Sequence, residues 1–381
     1  MRITLVIGTL NGGGAERVCV NLANAWVKRG WQVTILTTSQ GSRPPAYSVD
    51  PQVKHHDIGK PRLPRAVEVN RDSIAPVVRG LIRDGCISLT RQLGLIAMLR
   101  YGILKTEPDV VIPILEMTNV RVLAAMYETG VPVIACEQTD SARVSIGEWQ
   151  SVRKALYRRR ARAVVAPQPS IAEWLARHGA SACAIHNPLI APPPMSSRCN
   201  GTRRRLVTLA RLGREKRPEL LVRAFARIAG DFPEWDLEMH GDGPMRDFIA
   251  RYISELAPGR IHLHWFENAP YTILNGADLF VSASWVEGFG NAIWEALACG
   301  VPVVAMDAGA PVRALVRDGV DGVIVNTNST PALASALASL MADDTARQAL
   351  AARAPEVLTR FSIESALEKW DALLDKVAGR R

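Results

Sequence analysis

Trp285-Val-Glu-Gly-Phe-Gly-Asn-Ala-Ile-Trp-Glu-Ala-Leu-Ala-Cys-Gly-Val-Pro-Val-Val-Ala305 is the stretch that decides the fold. Ahead of it, Asp278-Leu-Phe-Val-Ser-Ala-Ser284 reads as a short buried strand. The turn Gly288, Phe289, Gly290, Asn291 follows, and an apolar pattern of helical period begins at Ala292. The order is strand, glycine turn, helix. A helix entered through glycine-rich backbone presents free N–H groups and the positive end of its dipole, a setting that suits phosphate. Two acids, Glu287 and Glu295, flank the turn eight positions apart. Carboxylates are poor phosphate ligands but good acceptors from hydroxyls. The combination suits a diphosphate with a sugar on each side.

The same alternation runs through the whole chain. Residues 2–7 read as a buried parallel strand. A turn with Gly12, Gly13 and Gly14 follows, then a helix closing at Gly30 and a strand over 31–38. This βαβ unit lacks the GxGxxG spacing and the acid of a dinucleotide fingerprint. Its three glycines either permit a tight turn or let backbone approach a phosphate or sugar. Further strands are predicted at 108–115, 131–136 and 163–166, with helices over 88–106, 118–129, 151–162 and 170–178. The run Asn187-Pro-Leu-Ile-Ala-Pro-Pro-Pro194 breaks the pattern. Alternation restarts at Leu206, with strands at 206–210, 237–240, 261–264, 301–306 and 322–325. The expected organisation is a first domain over 1–187, a linker over 188–203, a second domain over 204–360 and a terminal segment over 361–381. Both domains are α/β and doubly wound, facing each other across a cleft.

Composition narrows the function classes. Of 381 residues, 48% are hydrophobic and 22% charged, values of a globular protein. Cys19, Cys86, Cys136, Cys183, Cys199 and Cys299 are scattered, which speaks against a disulfide framework or zinc site and for a reducing compartment. The N-terminus reaches glycines too early for a signal peptide, and no apolar run is long enough to span a membrane. The net charge of +9 is lopsided: residues 1–186 hold 24 Lys/Arg against 14 Asp/Glu. A basic first half is expected to meet something anionic. Arg62, Arg65, Arg71, Arg79 and Arg83 accompany Ile74, Val77, Val78, Leu81 and Ile82 at near-helical spacing. This segment is either a solvated face or a contact for anionic lipid. The basic run over 151–162 reads as a solvated helix face. His55 and His56 read as loop residues with no evident partner. His262 and His264 share a strand face with no acid or Cys to complete a metal site, so no metal is expected.

Several motifs in order resemble the retaining, nucleotide-sugar-dependent glycosyltransferases of the GT-B fold, in the large bacterial family called glycosyl transferases group 1. Glu287 and Glu295 match that family's Glu-x7-Glu pattern, followed by Ala-Cys-Gly-Val-Pro-Val-Val (298–304). Arg211-Leu-Gly-Arg-Glu-Lys216, Gly241-Asp-Gly-Pro244, Ala277-Asp278 and Asp318-Gly-Val-Asp-Gly322 also match. Gly12-Gly-Gly-Ala-Glu-Arg-Val18 is similar to members that build surface glycans on lipid carriers. The resemblance covers nearly the whole chain.

The resemblance implies roles. Arg211 and Lys216 neutralise the donor diphosphate as the glycosidic bond breaks, a route that needs no metal cofactor. The amides of Phe289 to Ala292 support the phosphates, with Gly288 and Gly290 shaping the turn. Glu295 accepts from the ribose and Glu287 holds the transferred sugar. Gly12, Gly13 and Gly14 approach the same diphosphate, and Gly241 precedes the base site, where His264, Trp265 and Phe266 are candidates. The terminal helix crosses back onto the first domain.

Two departures from the family pattern stand out. Where many relatives carry a histidine, this chain has Gln138, preceded by Glu137, so either the leaving phosphate oxygen takes the acceptor proton on the same face or Glu137 orients the acceptor hydroxyl. Gly290 replaces a common proline. The expected activity is transfer of a hexose or N-acetylhexosamine, with UDP favoured over GDP, to a lipid-linked or oligosaccharide acceptor. The expected location is the cytoplasmic face of the membrane, on an anionic surface, with no nucleic-acid partner. The alternatives are an epimerase or phosphorylase on the same fold, or a nucleotide-sugar-binding protein without activity.

Overall fold

Strands that run the same way cannot be joined by a tight turn, so each needs a long crossover, usually a helix, and both sheet faces become covered. The apolar strand runs of this chain meet that requirement twice. The structure, a computed structural model, describes residues 1–59, 71–193, 203–326 and 329–379. Arg62, Arg65, Cys199 and most of the expected linker lie outside the described residues. The chain forms two compact units, Met1–Leu189 with Ile363–Arg381, and Ile190–Ser362.

The first unit contains β1 (Arg2–Ile7), β2 (Gln32–Thr37), β3 (Lys54–Asp57), β4 (Val110–Pro113), β5 (Ile134–Cys136), β6 (Ala163–Ala166) and β7 (Ala182–Ala184). Strands β3-β2-β1-β4 form one sheet and β5-β6-β7 another, all pairs parallel. Single bridges Val111–Val133 and Ile114–Cys136 carry the pairing from the first sheet to the second. Every residue of β1 after Arg2 is buried, as a strand covered on both faces demands. The strand order reverses beside β1, so the loops after β1 and β4 open at the switch point where such sheets bind ligands.

The terminal helix Ile363–Ala378 belongs to this first core. Ala366, Leu367, Trp370 and Leu374 are buried in it. Trp370 meets Trp26 edge-on with ring centroids 5.9 Å apart. Trp26 Nε1 donates to Asp371 at 3.3 Å, and Arg29 pairs with Asp371 at 2.5 Å.

The second unit contains β8 (Arg204–Leu209), β9 (Trp235–His240), β10 (Ile261–His264), β11 (Leu279–Ser282), β12 (Val303–Met306) and β13 (Gly322–Val325). They form one parallel sheet in the order β10-β9-β8-β11-β12-β13. Here the reversal falls between β8 and β11. The loop that leads to Lys216 and the loop that carries Glu287 therefore flank one crevice.

Some elements differ from the sequence reading. His55 and His56 lie in the edge strand β3, and His55 Nε2 is 3.1 Å from the hydroxyl of Thr37. The expected helix over 88–106 is a 3-10 turn, Ile87–Gln92, followed by the helix Leu93–Leu104. Helices Pro270–Asn275, Ala310–Leu315, Thr330–Ala342 and Asp344–Arg353 were not predicted. Thr330–Ala342 is alanine-rich and apolar around much of its circumference, so it carries no sharp stripe to read. Among the described residues, no helix is long and apolar enough to cross a membrane.

Trp370 is 1% exposed, and truncating it opens a large cavity beneath Trp26. Trp370→Ala is expected to destabilise the first unit by about 3–5 kcal/mol, measured by denaturant titration, while the transition of the second unit stays in place.

Candidate active site

The crevice is built first from backbone. β8 continues into Ala210, Arg211 and Leu212, whose N–H donates to the carbonyl of Asp242 at 2.8 Å. The N–H of Met245 returns a bond to the carbonyl of Leu212 at 3.0 Å. A Cβ on Gly241 would lie 1.9 Å from the carbonyl oxygen of Ala210, and one on Gly243 2.6 Å from that of Leu212. The Gly-Asp-Gly sequence is thus dictated by backbone packed against backbone. A 3-10 turn, Arg214–Lys216, and Arg217 at φ 48 then lead into the helix Pro218–Ile228.

That turn places a cation against an acid. Glu215 accepts at its carbonyl from the N–H of Trp285 at 3.1 Å, joining the two loops. Lys216 Nζ donates to Glu287 Oε1 at 2.6 Å, with the two side chains 22% and 13% exposed. The structure thus brings together Lys216 and Glu287, 71 residues apart in sequence. Arg211 stands apart from this pair. It is largely exposed and lies 3.5 Å from Glu215.

Gly288, Phe289 and Gly290 are buried, and Gly290 has φ 97, a conformation that favours glycine. Gly290 caps the helix Asn291–Ala298, with no side chain closing the helix end. Its carbonyl accepts the first helical bond, from Trp294, at 3.0 Å. Asn291 and Ala292 remain partly exposed in the first turn, and Glu295 lies buried one turn on. Burial, with Glu295 beside it, pushes the Cys299 thiol up to about 12.

The ends of β9 and β10 correct the reading of the histidines. Their register sets His240 opposite His264, with stacked rings 4.4 Å apart, and Glu238 stands beside them. These three residues bring potential ligand atoms within 4.8 Å of one another, so an acid does accompany His264. Both oxygens of Glu238 are nevertheless held by Arg205, at 2.8 and 2.5 Å. Burial opposes ionisation of Glu238, but Arg205 and His240 outweigh it and hold its carboxyl at about 2. A divalent cation would have to displace a guanidinium there, so the set fits a metal poorly. Beyond it, Arg246 donates to the carbonyls of Gly241 and His264 at 2.8 and 2.9 Å. Its guanidinium lies 3.6 Å from the ring centroid of Trp265, which is 64% exposed. Phe266 is exposed next to it.

In the first unit, the turn at Gly12 (φ 115) and Gly13 (φ 150) is pinned by Tyr47. The Tyr47 hydroxyl accepts from the N–H of Gly13 at 3.2 Å and donates to its carbonyl at 3.1 Å. A Cβ on Gly13 would lie 2.5 Å from Glu16 Oε2. An acid therefore already adjoins this helix end, a feature missed when the turn was read for its glycines alone. Gly14 begins the helix Gly14–Lys28.

Glu137 also differs from expectation. It is fully buried, accepting from the hydroxyls of Tyr157 and of Ser141, the latter at 3.0 Å, with Arg153 at 3.7 Å. Its carboxylate is enclosed and does not face an acceptor. Gln138, half-buried, turns its amide toward Cys136 Sγ at 3.4 Å. Sequence reasoning overlooked Glu116. It starts the helix Glu116–Ala125 immediately after Leu115, which has φ 78. An acid at the C-terminal end of a buried strand was the available signal. Burial and the neighbouring Glu137 push its carboxyl up to about 7.

Two family models match the chain. The family model described as Glycosyl transferases group 1 matches residues 195–357, and that described as Glycosyltransferase Family 4 matches residues 12–191. Over 380 residues, the chain is 24% identical to a Campylobacter jejuni enzyme, covering 99% of each. That relative is the alpha-1,4-N-acetyl-D-galactosaminyltransferase acting on GalNAc-alpha-(1->4)-GalNAc-alpha-(1->3)-diNAcBac-PP-undecaprenol. Over 218 residues, 55% of the chain, it is 29% identical to the Streptomyces coelicolor exopolysaccharide phosphotransferase SCO2592, spanning 22% of that protein's length. In three dimensions it is similar to S. aureus TarM in complex with Fondaparinux, alpha-GlcNAc-glycerol and UDP. The TM-score is 0.78 at 14% identity, over 98% of this chain and 99% of that one. The fold is GT-B.

The raised carboxyl of Glu116 gives a pH-dependent test. Below about pH 4.5 the group is protonated folded and unfolded alike, and its cost is absent; as pH rises toward 7 the unfolded chain ionises first and stability falls. Glu116→Gln is expected to match the wild type near pH 4 and to be more stable at pH 8, by up to roughly 3 kcal/mol. Denaturation curves across that pH range measure the difference.

Proposed function

We propose that the chain, which the group 1 glycosyltransferase model matches over residues 195–357, is a retaining enzyme that transfers a hexose or N-acetylhexosamine from a UDP-linked sugar to a lipid-linked glycan in bacterial surface-polysaccharide assembly. The observation that carries this reading is the Lys216–Glu287 pair at the β8–β11 switch point, beside the amide-rich start of the helix Asn291–Ala298. A cation and helix-end N–H groups suit the donor diphosphate, and the adjoining carboxylate suits hydroxyls of the transferred sugar.

The chemistry follows from charge. When the bond from the anomeric carbon to the phosphate oxygen breaks, negative charge grows on the leaving diphosphate. Lys216, the exposed Arg211 and the amides of Phe289 to Ala292 receive that charge. The cations are on the chain, so no metal is required as cofactor. Glu287 keeps Lys216 oriented and accepts from the sugar. Glu295 accepts from the ribose, and Trp265 with Phe266 offers a stacking face for the base. With Glu137 enclosed, the acceptor hydroxyl forms its bond to the anomeric carbon on the face the phosphate leaves. Its proton passes to the departing phosphate oxygen. Such same-face replacement retains configuration.

The lipid-linked acceptor is supported by the undecaprenol substrate of the Campylobacter relative and by the basic first half of the chain. Ile82 and Ile87, each 59% exposed, lie near Arg79 and Arg83, a composition suited to an anionic bilayer surface. The enzyme would then work peripherally on the inner face of the membrane.

Two measurements test the reading. A UDP-sugar at a hundred times its dissociation constant should add about 2.7 kcal/mol to stability in a thermal-shift panel. A shift with GDP-sugars alone overturns the UDP assignment. Lys216→Ala and Glu287→Gln should each lower kcat by about 100–1000-fold in transfer to a polyprenyl-diphosphate glycan. Donor isomerisation without acceptor, or unimpaired rates in both variants, excludes the proposed role.

A further inference from the structure

The Gly288–Asn291 turn does not hold itself in place. Gly290 provides no side-chain cap, and its φ of 97 gives a backbone that glycine alone does not stiffen. Its position must come from what packs around it. Two contacts do so, and both originate at the end of the second unit.

The first is aromatic. Phe361 meets Phe289 edge-on, with ring centroids 5.6 Å apart and planes at 80°. The second runs through Arg360. Its guanidinium donates to the carbonyl of Ala314 at 3.0 Å and to that of Leu315 at 2.8 Å, closing the C-terminal end of the helix Ala310–Leu315. Arg360 is held in turn by Asp321 at 3.1 Å. Asp321 is fully buried and also accepts from the N–H and Nε of Arg317, at 2.7 and 2.6 Å. Leu315, fixed by this arrangement, closes on the turn: a Cβ on Gly290 would lie 3.1 Å from Leu315 Cδ1. The motif Asp318-Gly-Val-Asp-Gly322, which had no role in the donor site, thus connects through Arg360 and Leu315 to the phosphate-facing turn.

We propose that Phe361 and Arg360, with Asp321 behind them, are positioning residues for the donor: they set the Gly288–Asn291 turn so that its amides meet the diphosphate. This rests on the donor reading above. Neither side chain touches substrate in this account. Their effect passes through Phe289 on one side of the turn and Leu315 on the other. Loosening either contact lets the amides swing, which weakens donor binding while leaving Lys216, Glu287 and the acceptor side unaltered.

The experiment compares Phe361→Leu, Phe361→Tyr and Arg360→Lys with the wild type and with Lys216→Ala. Donor dissociation constants are read by calorimetry; KM for donor, KM for acceptor and kcat are read by steady-state kinetics. Phe361→Leu and Arg360→Lys should each raise donor Kd and donor KM by about 3–10-fold, the range that one lost aromatic or hydrogen-bonded contact allows. Acceptor KM should stay within about twofold, while kcat at saturating donor falls by less than about tenfold, because the displaced amides are among several groups that receive the leaving-group charge. Phe361→Tyr keeps the edge-on ring and should restore the donor constants. Donor constants unchanged in Phe361→Leu and Arg360→Lys, or falls in kcat and acceptor affinity that match a loss of folded protein, overturn the inference. If Lys216→Ala also leaves donor binding unchanged, the donor site itself is misplaced. If Lys216→Ala weakens binding and the other variants do not, only the positioning role is wrong.

Discussion

Parallel pairing is the constraint on which the rest of the molecule depends. Because every strand in each sheet points the same way, every strand ends at the same edge and every following helix begins there. The edge therefore collects helix starts with free N–H groups, glycine turns and strand-end side chains without any special arrangement. In the second unit, β8 and β11 are neighbours in space though far apart in sequence, and the reversal of order between them leaves an opening. Lys216 and Glu287 meet there because two loops have no helix between them at that point. The site is a consequence of topology before it is a consequence of side chains.

Charge is managed differently at different depths. Lys216 and Glu287 are partly buried and paired one to one, so each keeps the other oriented and either is accessible to a ligand. Glu238 and Asp321 are held by arginines through several hydrogen bonds, which makes them structural anchors. Glu116 and Glu137 both feel the guanidinium of Arg153, yet desolvation there favours a bound proton. Burial and the number of donors thus separate three kinds of carboxylate that look alike in sequence.

Much of the fold was legible because buried parallel strands leave short apolar runs punctuated by glycine. β1, β6, β10 and β13 coincide with their predicted spans. What escaped had no such pattern. β3 carries Lys54, His55, His56 and Asp57, polar residues tolerated because the strand is an edge. In the candidate site, Lys216, Glu287, Gly290 and Glu295 were visible as motif members, and their local setting explains the residue types. Glu137 was misread because sequence shows that an acid follows a strand but not whether it turns outward or into the core. Two of the neighbours that enclose it, Tyr157 and Arg153, come from the helix Trp149–Arg159. Arg360 and Phe361 were equally invisible as partners of the turn, since their contacts depend on how Leu315 and Phe289 pack.

The helix Ile363–Ala378 has a consequence for how the protein is made. The second unit is one continuous stretch, so all of it has been synthesised when Ser362 is added. The first unit, although begun earlier on the ribosome, lacks Trp370 and Leu374 until translation reaches them. Its apolar surface around Trp26 stays uncovered through most of synthesis, exposed to chaperones for as long as elongation lasts. The first unit is thus completed only after the whole of the second has been translated, and its apolar surface around Trp26 waits on Trp370 and Leu374 for cover.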